Sequence, residues 1–519
     1  MKQIAQYIKS LLAGLLLFSL SGCEEIMKVD LNTGMNAEDH YSSSNEVEGA
    51  FIGLIAAFNK VAEQTLILSE LKGDLLRPTS YAPEEFWRIY RYAADNEDAY
   101  TNPGLFYDIV INCNDFIKRV IKYNRDFPGN IPEAEYRAEI SVAICYKVWS
   151  LMMIGQFWGE AYVYEDNLET GSEQAMLRLG LDELPVYLIA YMNGGEDGVD
   201  AFQMPDFRSI LADNNIDWFG ATLYGRVLLA ELKLWAGDYQ GAIDDYLAAL
   251  TTDASNTVNL TSGYRSIFTS AVTQLKNEAF TVFSFNVAYH QTNNLREYFL
   301  DRYYFAPTRN MIDLFDAQVY ANYSRGDAQR KSATCASVTL RQEEDAWAVT
   351  KHFYQENMIL HVYRAGQVYL NIAEAYACLG RFEEAITFLD KGLKSYWAGA
   401  DYRAPFQSFP SALQGANGVR GRAGLLPLEP EEIFGSSVTR QDSIRALCGR
   451  IADETALELA YEGKRWPALV RMARNLHDPS FLVDKIVAKF DAAEQGDYRT
   501  LLSTPANWYI KDEKKTTLK

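Results

Sequence analysis

The sequence has few of the residues, and none of the short motifs, that build most catalytic and metal centres. It contains 5 histidines and 6 cysteines in 519 residues, without the Cys-x-x-Cys pairs or histidine clusters that bind zinc. His-Glu-x-x-His, Gly-x-Ser-x-Gly and the glycine-rich phosphate loop are also absent. We therefore expect no catalytic residue, no metal ion and no cofactor.

Positive charge is scarce as well. There are 49 lysines and arginines against 69 aspartates and glutamates, which gives a formal net charge of −20. Such acidity argues against nucleic acid or anionic lipid as the main partner, because both repel a negative surface. Most of the excess carboxylates simply suit a solvated surface. Their abundance also means that counting acidic pairs does not exclude a glycosidase.

Long apolar runs are rare too. The run from Leu11 to Leu20 follows Lys2 and Lys9, and it is too short to span a bilayer, which takes about 20 apolar residues. A basic start, a short apolar region and small residues at a cleavage site are typical of a secretory signal. Leu-Ser-Gly-Cys at 20–23 resembles a bacterial lipobox, whose cysteine is lipidated and becomes the first residue of the mature protein. Elsewhere we expect no stretch long and apolar enough to cross a membrane.

The start of the chain therefore predicts a lipid-anchored protein. We expect residues 1–22 to be a lipoprotein signal peptide and residues 23–45 to be a tether lipidated at Cys23, since acyl chains anchor a protein without a transmembrane helix. The acidic pair Glu24-Glu25 resembles the export tag of surface lipoproteins in Bacteroidetes. The body of the protein is expected to be soluble and held at the cell surface.

The best-defined pattern in that body is the stretch Tyr363–Leu393. Apolar residues recur there at the spacing of one helical face on both sides of Gly380, and glycine suits the end of a helix because it adopts left-handed backbone angles easily. The same order of Glu, Gly, aromatic, Ala and Ile occurs 143 positions earlier, around Gly237. The repetition predicts two tetratricopeptide-type helical hairpins, near residues 220–251 and 364–394, separated by long insertions.

Helical periodicity predicts further helices at 46–63, at 105–123, at 132–155 and from Asp442 onward. A β-like run occupies 279–288, whereas we predict loop-rich or irregular structure for 64–104, 323–352 and the tail from Asp491. The fold class is therefore mainly α. Buried thiols are expected on apolar helical faces at Cys113, Cys145, Cys378 and Cys448, and we predict no disulfide framework.

Residues near the C-terminus carry a family resemblance. They are Arg420, Arg422, Ala423, Gly424, Glu458, Leu459, Ala460, Tyr461, Glu462, Gly463, Arg465, Leu469 and Arg471. In this order they resemble the closing signature of the SusD/RagB family, which spans 420–474 here. Tyr363-Arg364 and Tyr369–Ala375 resemble a helix of the same family. Two departures stand out: Ala468 replaces a usual Asp, and the segment 395–417 lengthens the connector before Arg-Ala-Gly.

The resemblance implies that residues 46–519 form a SusD-like α-helical scaffold with tetratricopeptide-type hairpins and long loop-rich insertions. It implies an outer-membrane lipoprotein that captures oligosaccharide and delivers it to a partner, a SusC-like TonB-dependent transporter. Some members of the family bind peptides, so an oligopeptide ligand is one alternative. A surface glycoside hydrolase is another, because a fold does not settle ligand or activity.

The signature also has a physical interpretation. Glu458 and Glu462 lie four residues apart with Arg465 three further on, and partly buried carboxylates must be paired or hydrogen-bonded. We interpret these three residues as a structural ion network. A catalytic acid pair is the alternative, although i, i+4 glutamates beside an arginine are common in ordinary helices.

Candidate ligand contacts come from two aromatic-rich loops and from the insertion. An exposed aromatic ring matches the flat C–H face of a sugar, while Asp, Asn and Arg match its hydroxyl groups. By position, the two loops resemble the segments that supply ligand contacts in the family. The candidates are Asp74, Arg77, Tyr81, Trp87, Tyr90, Asn294, Arg296, Tyr298, Tyr303, Tyr304 and Trp397. Trp87 is the first choice, although most large aromatic residues fill cores instead.

Overall fold

A computed structural model of the protein describes residues 41–164, 177–194, 222–251, 260, 263–269, 278–285, 291–340, 343–354, 358–393 and 417–511. Cys23, the signal peptide, Trp397 and nearly all of the segment 395–417 lie outside these residues. The expectations for them, and the domain boundary at residue 46, remain predictions.

Helices make up most of the described chain. They are α1 (Ser44–Lys60), α2 (Ala62–Lys72), α3 (Glu84–Tyr90), α4 (Gly104–Asp126), α5 (Glu133–Trp158), α6 (Leu184–Met192), α7 (Gly225–Ala236), α8 (Tyr239–Thr251), α9 (Ser266–Thr269), α10 (Arg309–Asp316), α11 (Ala328–Thr334), α12 (Ala365–Cys378), α13 (Phe382–Asp390), α14 (Val419–Ala423), α15 (Pro430–Phe434), α16 (Arg440–Leu459), α17 (Arg465–Asn475), α18 (Pro479–Val487) and α19 (Gln495–Leu502), with a π-turn at Glu297–Asp301 and a 3₁₀ turn at Pro505–Trp508. The predicted fold class, mainly α, is confirmed.

The strands of the described residues pair two by two, always antiparallel. The pairs are β1 (Leu76–Pro78) with β5 (Phe305–Pro307), β2 (Glu160–Val163) with β3 (Leu177–Gly180), β4 (Ala279–Ser284) with β8 (Ile359–Arg364), and β6 (Cys335–Leu340) with β7 (Glu343–Val349). The β1–β5 and β4–β8 ladders join segments that are distant in the sequence, whereas β2–β3 and β6–β7 pair strands that are close together. The predicted β-like run is confirmed over the length of β4.

Both predicted hairpins are present, as α7 with α8 and as α12 with α13. Gly237 and Gly380 follow the first helix of each hairpin with φ of +79° and +69°, the left-handed region that favours glycine. The equivalent glutamates of the two hairpins converge on one cation: Arg471 lies 2.6 Å from Glu374 and 3.9 Å from Glu231. The repetition in the sequence therefore reports a repeated structure around a shared ion cluster.

Helix α5 runs through the middle of the core. Its side chains are buried from Ala138 to Phe157, and Tyr146 and Trp149 pack against Phe58 of α1. By length and composition alone, α5 and the segment Ser44–Lys72 are apolar enough to cross a membrane, contrary to our expectation from the sequence. The apolar window of α5 lies wholly inside the protein, as in the core helix of a globular domain.

Three predictions of local structure are wrong. Residues 64–104 contain most of α2 and all of α3, residues 323–352 contain α11, β6 and β7, and the tail from Asp491 contains α19. The helix expected from Asp442 begins two residues earlier, with Thr439 as its N-cap in a capping box, and it ends at Leu459. Tyr461 then takes a positive φ of 61°, so Glu462 lies in a turn.

Buried thiols are found at Cys113, Cys145 and Cys448, whereas Cys378 is only partly buried. Cys335, for which we made no prediction of burial, is buried too. The described cysteines are all free thiols.

Candidate ligand-binding site

The two aromatic-rich loops are separated by more than 200 positions in the sequence, and the β1–β5 ladder joins them. Leu76 pairs with Pro307, and Pro78 pairs with Phe305. Just beyond the ladder, the Thr79 amide donates to the Tyr304 carbonyl at 2.8 Å, and the Thr79 hydroxyl donates to the Tyr303 carbonyl. The residues that follow β1 and those that precede β5 therefore share one surface.

That surface carries a cluster of rings, which we call the aromatic face: Tyr100, Tyr298 and Tyr304, backed by Phe86 and Phe305. The rings of Tyr298 and Tyr304 lie 5.4 Å apart, and those of Tyr100 and Tyr298 lie 6.5 Å apart. Phe86 and Phe305 are buried beneath them, 4.8 Å from each other. The three tyrosines are only partly buried, so their outer faces meet solvent.

Polar groups border the aromatic face. The Tyr100 hydroxyl donates to the Glu63 carboxylate and lies 3.1 Å from the Tyr298 hydroxyl. Glu63 also accepts from the Asn294 amide at 2.8 Å. On the other side, Arg302 donates to the Tyr304 hydroxyl at 3.0 Å. Aromatic rings with donors and acceptors at their edges suit a ligand that has both flat apolar faces and hydroxyl groups.

The hydroxyls of Tyr100 and Tyr298 remain protonated at neutral pH. Burial raises the pKa of Tyr298, and burial together with the Glu63 carboxylate raises the pKa of Tyr100. Each phenol therefore keeps a proton with which to donate. Such groups bind a neutral polar ligand more readily than they perform proton transfer near pH 7.

Trp87 and Tyr81 lie beside the aromatic face rather than within its ring cluster. On α3, Phe86 faces the cluster, whereas the partly buried Trp87 packs edge-on against Tyr90 at 5.9 Å and holds the Arg91 guanidinium 4.7 Å from its ring centre. Tyr81 is 50% exposed. Both remain candidate contacts at the margin of the face.

Several candidates have side chains that are engaged by the protein itself. Asp74 is buried and accepts two hydrogen bonds from Arg465, at 2.6 and 2.8 Å. Tyr90 is buried and donates to the Lys489 carbonyl. Tyr303 is buried with a positive φ of 52° and donates to the Trp347 carbonyl at 3.0 Å.

Two further candidates differ in exposure. Arg77 is half-buried in β1, and Arg296 is exposed and donates to the Phe353 carbonyl at 3.2 Å. Sequence reasoning missed Phe86 and Tyr100, which complete the aromatic face. Phe86 lies beside Trp87 in a short amphipathic segment, and that pattern could have indicated a buried ring. We predicted a loop there and therefore did not use the pattern.

A second cluster, which we call the ion network, collects the charged residues of the C-terminal signature. Arg364 lies 2.7 Å from both Glu458 and Glu462. Arg422 pairs with Glu458 and lies 2.9 Å from Glu278. These side chains are at most 3% exposed. Helix α16 is thereby fastened to α14, β4 and β8.

Neighbouring charges extend the network. They are Arg330 with Asp327 and Glu454, Arg420 with Asp390 and Glu454, and Lys351 with Glu462. Arg465 pairs instead with Asp74 and donates to the Ala452 carbonyl, so it ties α17 to the start of β1. The three signature residues thus belong to two adjacent ion clusters.

The carboxylates of the network are fixed in the charged state. Burial opposes ionisation, but Arg422, Arg364 and Arg330 outweigh it and lower the pKa of Glu458 to about 2. Glu454 also has its pKa lowered to about 2, by Arg330 and Arg420 against the effect of burial. A buried carboxylate with so low a pKa holds no proton at neutral pH, so this arrangement does not suit a general acid. Among the described residues, no group of three or more His, Cys, Asp or Glu could hold a metal ion.

The fold defines the class of protein. It is a helical scaffold with repeat-type hairpins, and segments outside those hairpins carry an aromatic surface. Comparison then gives a partial match to a known family. Residues 283–518, a little under half of the chain, match the SusD family by sequence. No curated protein matches the chain by sequence.

Solved structures share the fold over most of the chain. A SusD superfamily protein from Bacteroides vulgatus matches with a TM-score of 0.65 at 12% identity, covering 91% of this chain and 96% of its own. A laminarin-binding SusD-like protein matches with a TM-score of 0.61 at 13% identity, covering 92% and 98%. Surface glycan-binding protein A from Bacteroides uniformis matches with a TM-score of 0.60 at 17% identity, covering 91% and 97%.

Proposed function

We propose that the protein is a surface lipoprotein that binds oligosaccharide on the aromatic face and delivers it to a TonB-dependent outer-membrane transporter. The observation that carries the proposal is the pairing of β1 with β5, which gathers Tyr100, Tyr298 and Tyr304 onto one partly exposed surface. The match of residues 283–518 to the SusD family supports it, as do structural relatives named for binding laminarin and surface glycan.

The chemistry of the surface favours a glycan. A pyranose ring offers C–H groups to the tyrosine rings and hydroxyls to groups at their edges, such as Glu63, Asn294 and Arg302. Because some edge groups are already hydrogen-bonded to one another, a ligand meets a preorganised surface and orders few side chains when it binds.

The first experiment measures binding by a soluble protein that starts after Cys23. Affinity electrophoresis and calorimetry are run against laminarin, amylopectin, xylan, galactomannan and a peptide digest. A variant carrying Tyr298→Ala and Tyr304→Ala is compared with Tyr136→Ala, which removes a partly buried tyrosine of α5. We expect retardation by one glycan, its loss only in the double variant, and no release of product.

The other outcomes separate the alternatives. Binding to the peptide digest alone would change the ligand class to oligopeptides. Release of reducing sugar would make the protein a glycoside hydrolase. Equal retardation of the double variant and the wild type would remove the aromatic face from the proposal.

Anchoring and partnership need tests in the cell. The lipobox-like sequence predicts that Cys23→Ala releases the protein from the outer membrane, as measured by fractionation. Delivery predicts that the wild-type protein co-purifies with a TonB-dependent transporter after mild detergent extraction. Recovery of the protein without any such transporter would contradict the proposed partnership.

A further inference from the structure

A cleft of about 830 Å³ lies apart from the aromatic face, between the segment from Leu314 to Tyr323 and the helices α15, α16 and α18. Its size falls in the range of small-ligand sites. No residue of the aromatic face lines it.

Arg450 at this cleft makes no close ion pair. Among the described residues, no carboxylate lies within ion-pair distance of it, although Glu454 and Asp453 attract it from farther away. The one hydrogen bond of its side chain within the described residues runs from Nη2 to the Gln318 side chain at 3.3 Å. Its Nε–H is buried and donates to no partner, and burial lowers the pKa of the guanidinium. Nη1 is not buried and makes no hydrogen bond with a described residue, so it is the donor that a ligand oxygen in the cleft can reach.

The other cations of the lining are already paired. Arg420 pairs with Asp390 and Glu454, Arg445 pairs with Asp478 and Asp484, and Lys485 pairs with Asp453. Arg450 is therefore the lining cation whose donors are open to a ligand.

Tyr323 lines the same cleft and is 78% exposed. It occupies a tight turn closed by the Val319–Arg325 bridge, with a positive φ of 65°. That conformation is uncommon for a bulky residue and costs free energy. Packing of the exposed ring does not offset this cost. The ring does, however, offer a ligand a flat surface on which to stack.

The charges of the lining decide the chemical class of the ligand. Four cationic side chains (Arg420, Arg445, Arg450 and Lys485) face four acidic ones (Glu429, Glu432, Asp453 and Asp484). An anionic ligand would gain Arg450 but meet the exposed carboxylates of Glu429 and Glu432. Hydroxyl groups can accept from the guanidinium and donate to these carboxylates at once. The lining therefore matches a neutral, polyhydroxylated molecule.

We infer that this cleft is a second carbohydrate site, in which a neutral oligosaccharide stacks on Tyr323 and hydrogen-bonds Arg450. The ligand class rests on the proposed function, whereas the location rests on the cleft alone. A chain that holds a polysaccharide at two separate places gains avidity because the second contact forms within one complex.

The test locates binding by hydrogen exchange. Oligosaccharide digests of laminarin, amylopectin, xylan and galactomannan are added, with polygalacturonate as the anionic comparison. Protection is followed in peptides covering 314–323 and 445–450 for the cleft, and 79–91 and 292–304 for the aromatic face. The wild type is compared with Tyr323→Ala, with Arg450→Met, and with Arg125→Met as a control for an exposed arginine that neither lines the cleft nor pairs with a residue of its lining.

We expect a neutral digest to protect the cleft peptides and both cleft variants to weaken that protection about tenfold or more. Arg450→Met should leave the thermal midpoint nearly unchanged, because burial opposes the charge of Arg450 while Glu454 and Asp453 attract it only from beyond ion-pair distance. Loss of binding without loss of stability separates a ligand contact from a structural role.

Each other result is decisive. Protection confined to the aromatic-face peptides would overturn the second site and leave the proposed function standing. Protection confined to the cleft would support the second site and remove the aromatic face. Protection by polygalacturonate alone would overturn the neutral ligand, and protection by none of the digests would overturn both proposals.

Discussion

The ion network and the aromatic face are both assembled from residues far apart in the sequence, yet their surroundings differ. In the network, Arg364, Glu458 and Glu462 are at most 1% exposed and satisfy one another. On the face, Tyr298 and Tyr304 keep one side in solvent and are held at their edges by a few polar groups. Buried charges that are paired with one another hold helices together, whereas partly exposed rings remain available to bind a partner.

Acid should break the network and unfold the protein, which is the largest effect we predict. Glu454 and Glu458 have folded-state pKa values of about 2, below the ordinary 4.5. Between these values the unfolded chain binds more protons than the folded one, so stability falls as pH falls through that range. We expect the free energy of unfolding, from urea titrations, to drop steeply between about pH 4.5 and pH 2.

Two buried histidines should make the free energy of unfolding begin to fall at a higher pH than the carboxylates alone would. Burial lowers the pKa of His352 to about 4 and that of His361 to about 3. The unfolded chain, with histidines near 6.5, again binds more protons, so stability begins to fall below about pH 6.5. His361→Leu should make this first fall less steep. An unchanged slope in the variant would show that His361 does not titrate on unfolding.

Removing one charge of the network is the next largest effect. Glu458→Gln leaves Arg364 and Arg422 buried beside a neutral side chain, and breaking a buried ion pair from one side costs about 3–5 kcal/mol. Denaturant unfolding at pH 7 measures it, with Glu431→Gln, an exposed glutamate of α15, as the control. A loss as small as the control's would mean that water solvates the network.

Altering the aromatic face should change binding more than stability. Tyr298→Ala together with Tyr304→Ala removes two stacking surfaces, each worth about 0.5–1.5 kcal/mol. We expect affinity for a bound glycan to fall about tenfold, measured by calorimetry, while the unfolded fraction at 25 °C stays negligible. A matched pair, Tyr298→Phe with Tyr304→Phe, should keep most of the affinity, because the rings remain.

Trp87 sharpens the boundary of the face. Because its ring packs on Tyr90 and Arg91 beside the cluster, Trp87→Ala should weaken glycan binding less than the tyrosine pair does. We expect a change of about threefold or less in the dissociation constant, under 1 kcal/mol. A larger loss than in the tyrosine pair would move the centre of the site onto α3.

Sequence reasoning found the features that repeat or that carry a local signal. The glycines of the two hairpins, the periodic helices and the charged signature all depend on spacing within about 30 residues. The ion-pair partners of the charged signature lie farther away in the sequence than that. Nothing near Glu458 indicates Arg364, 94 positions away, and nothing near Arg465 indicates Asp74.

The aromatic face shows the same limit. Composition singled out the two loops, but it does not say which rings turn inward. Tyr303 and Tyr304 are adjacent, yet the first is buried under a positive φ and the second is partly exposed. The exposure of each ring depends on the backbone conformation at a turn and on the ladder between β1 and β5. Both are tertiary features.

The β1–β5 ladder also dictates when the candidate site comes into existence. Thr79 and Tyr303, which meet beside it, are 224 positions apart. Contacts of such long range form late in folding, since the intervening chain must first be brought together. A chain of which only the first half has been synthesised thus lacks the aromatic face altogether. No fragment ending before β5 would carry this candidate site.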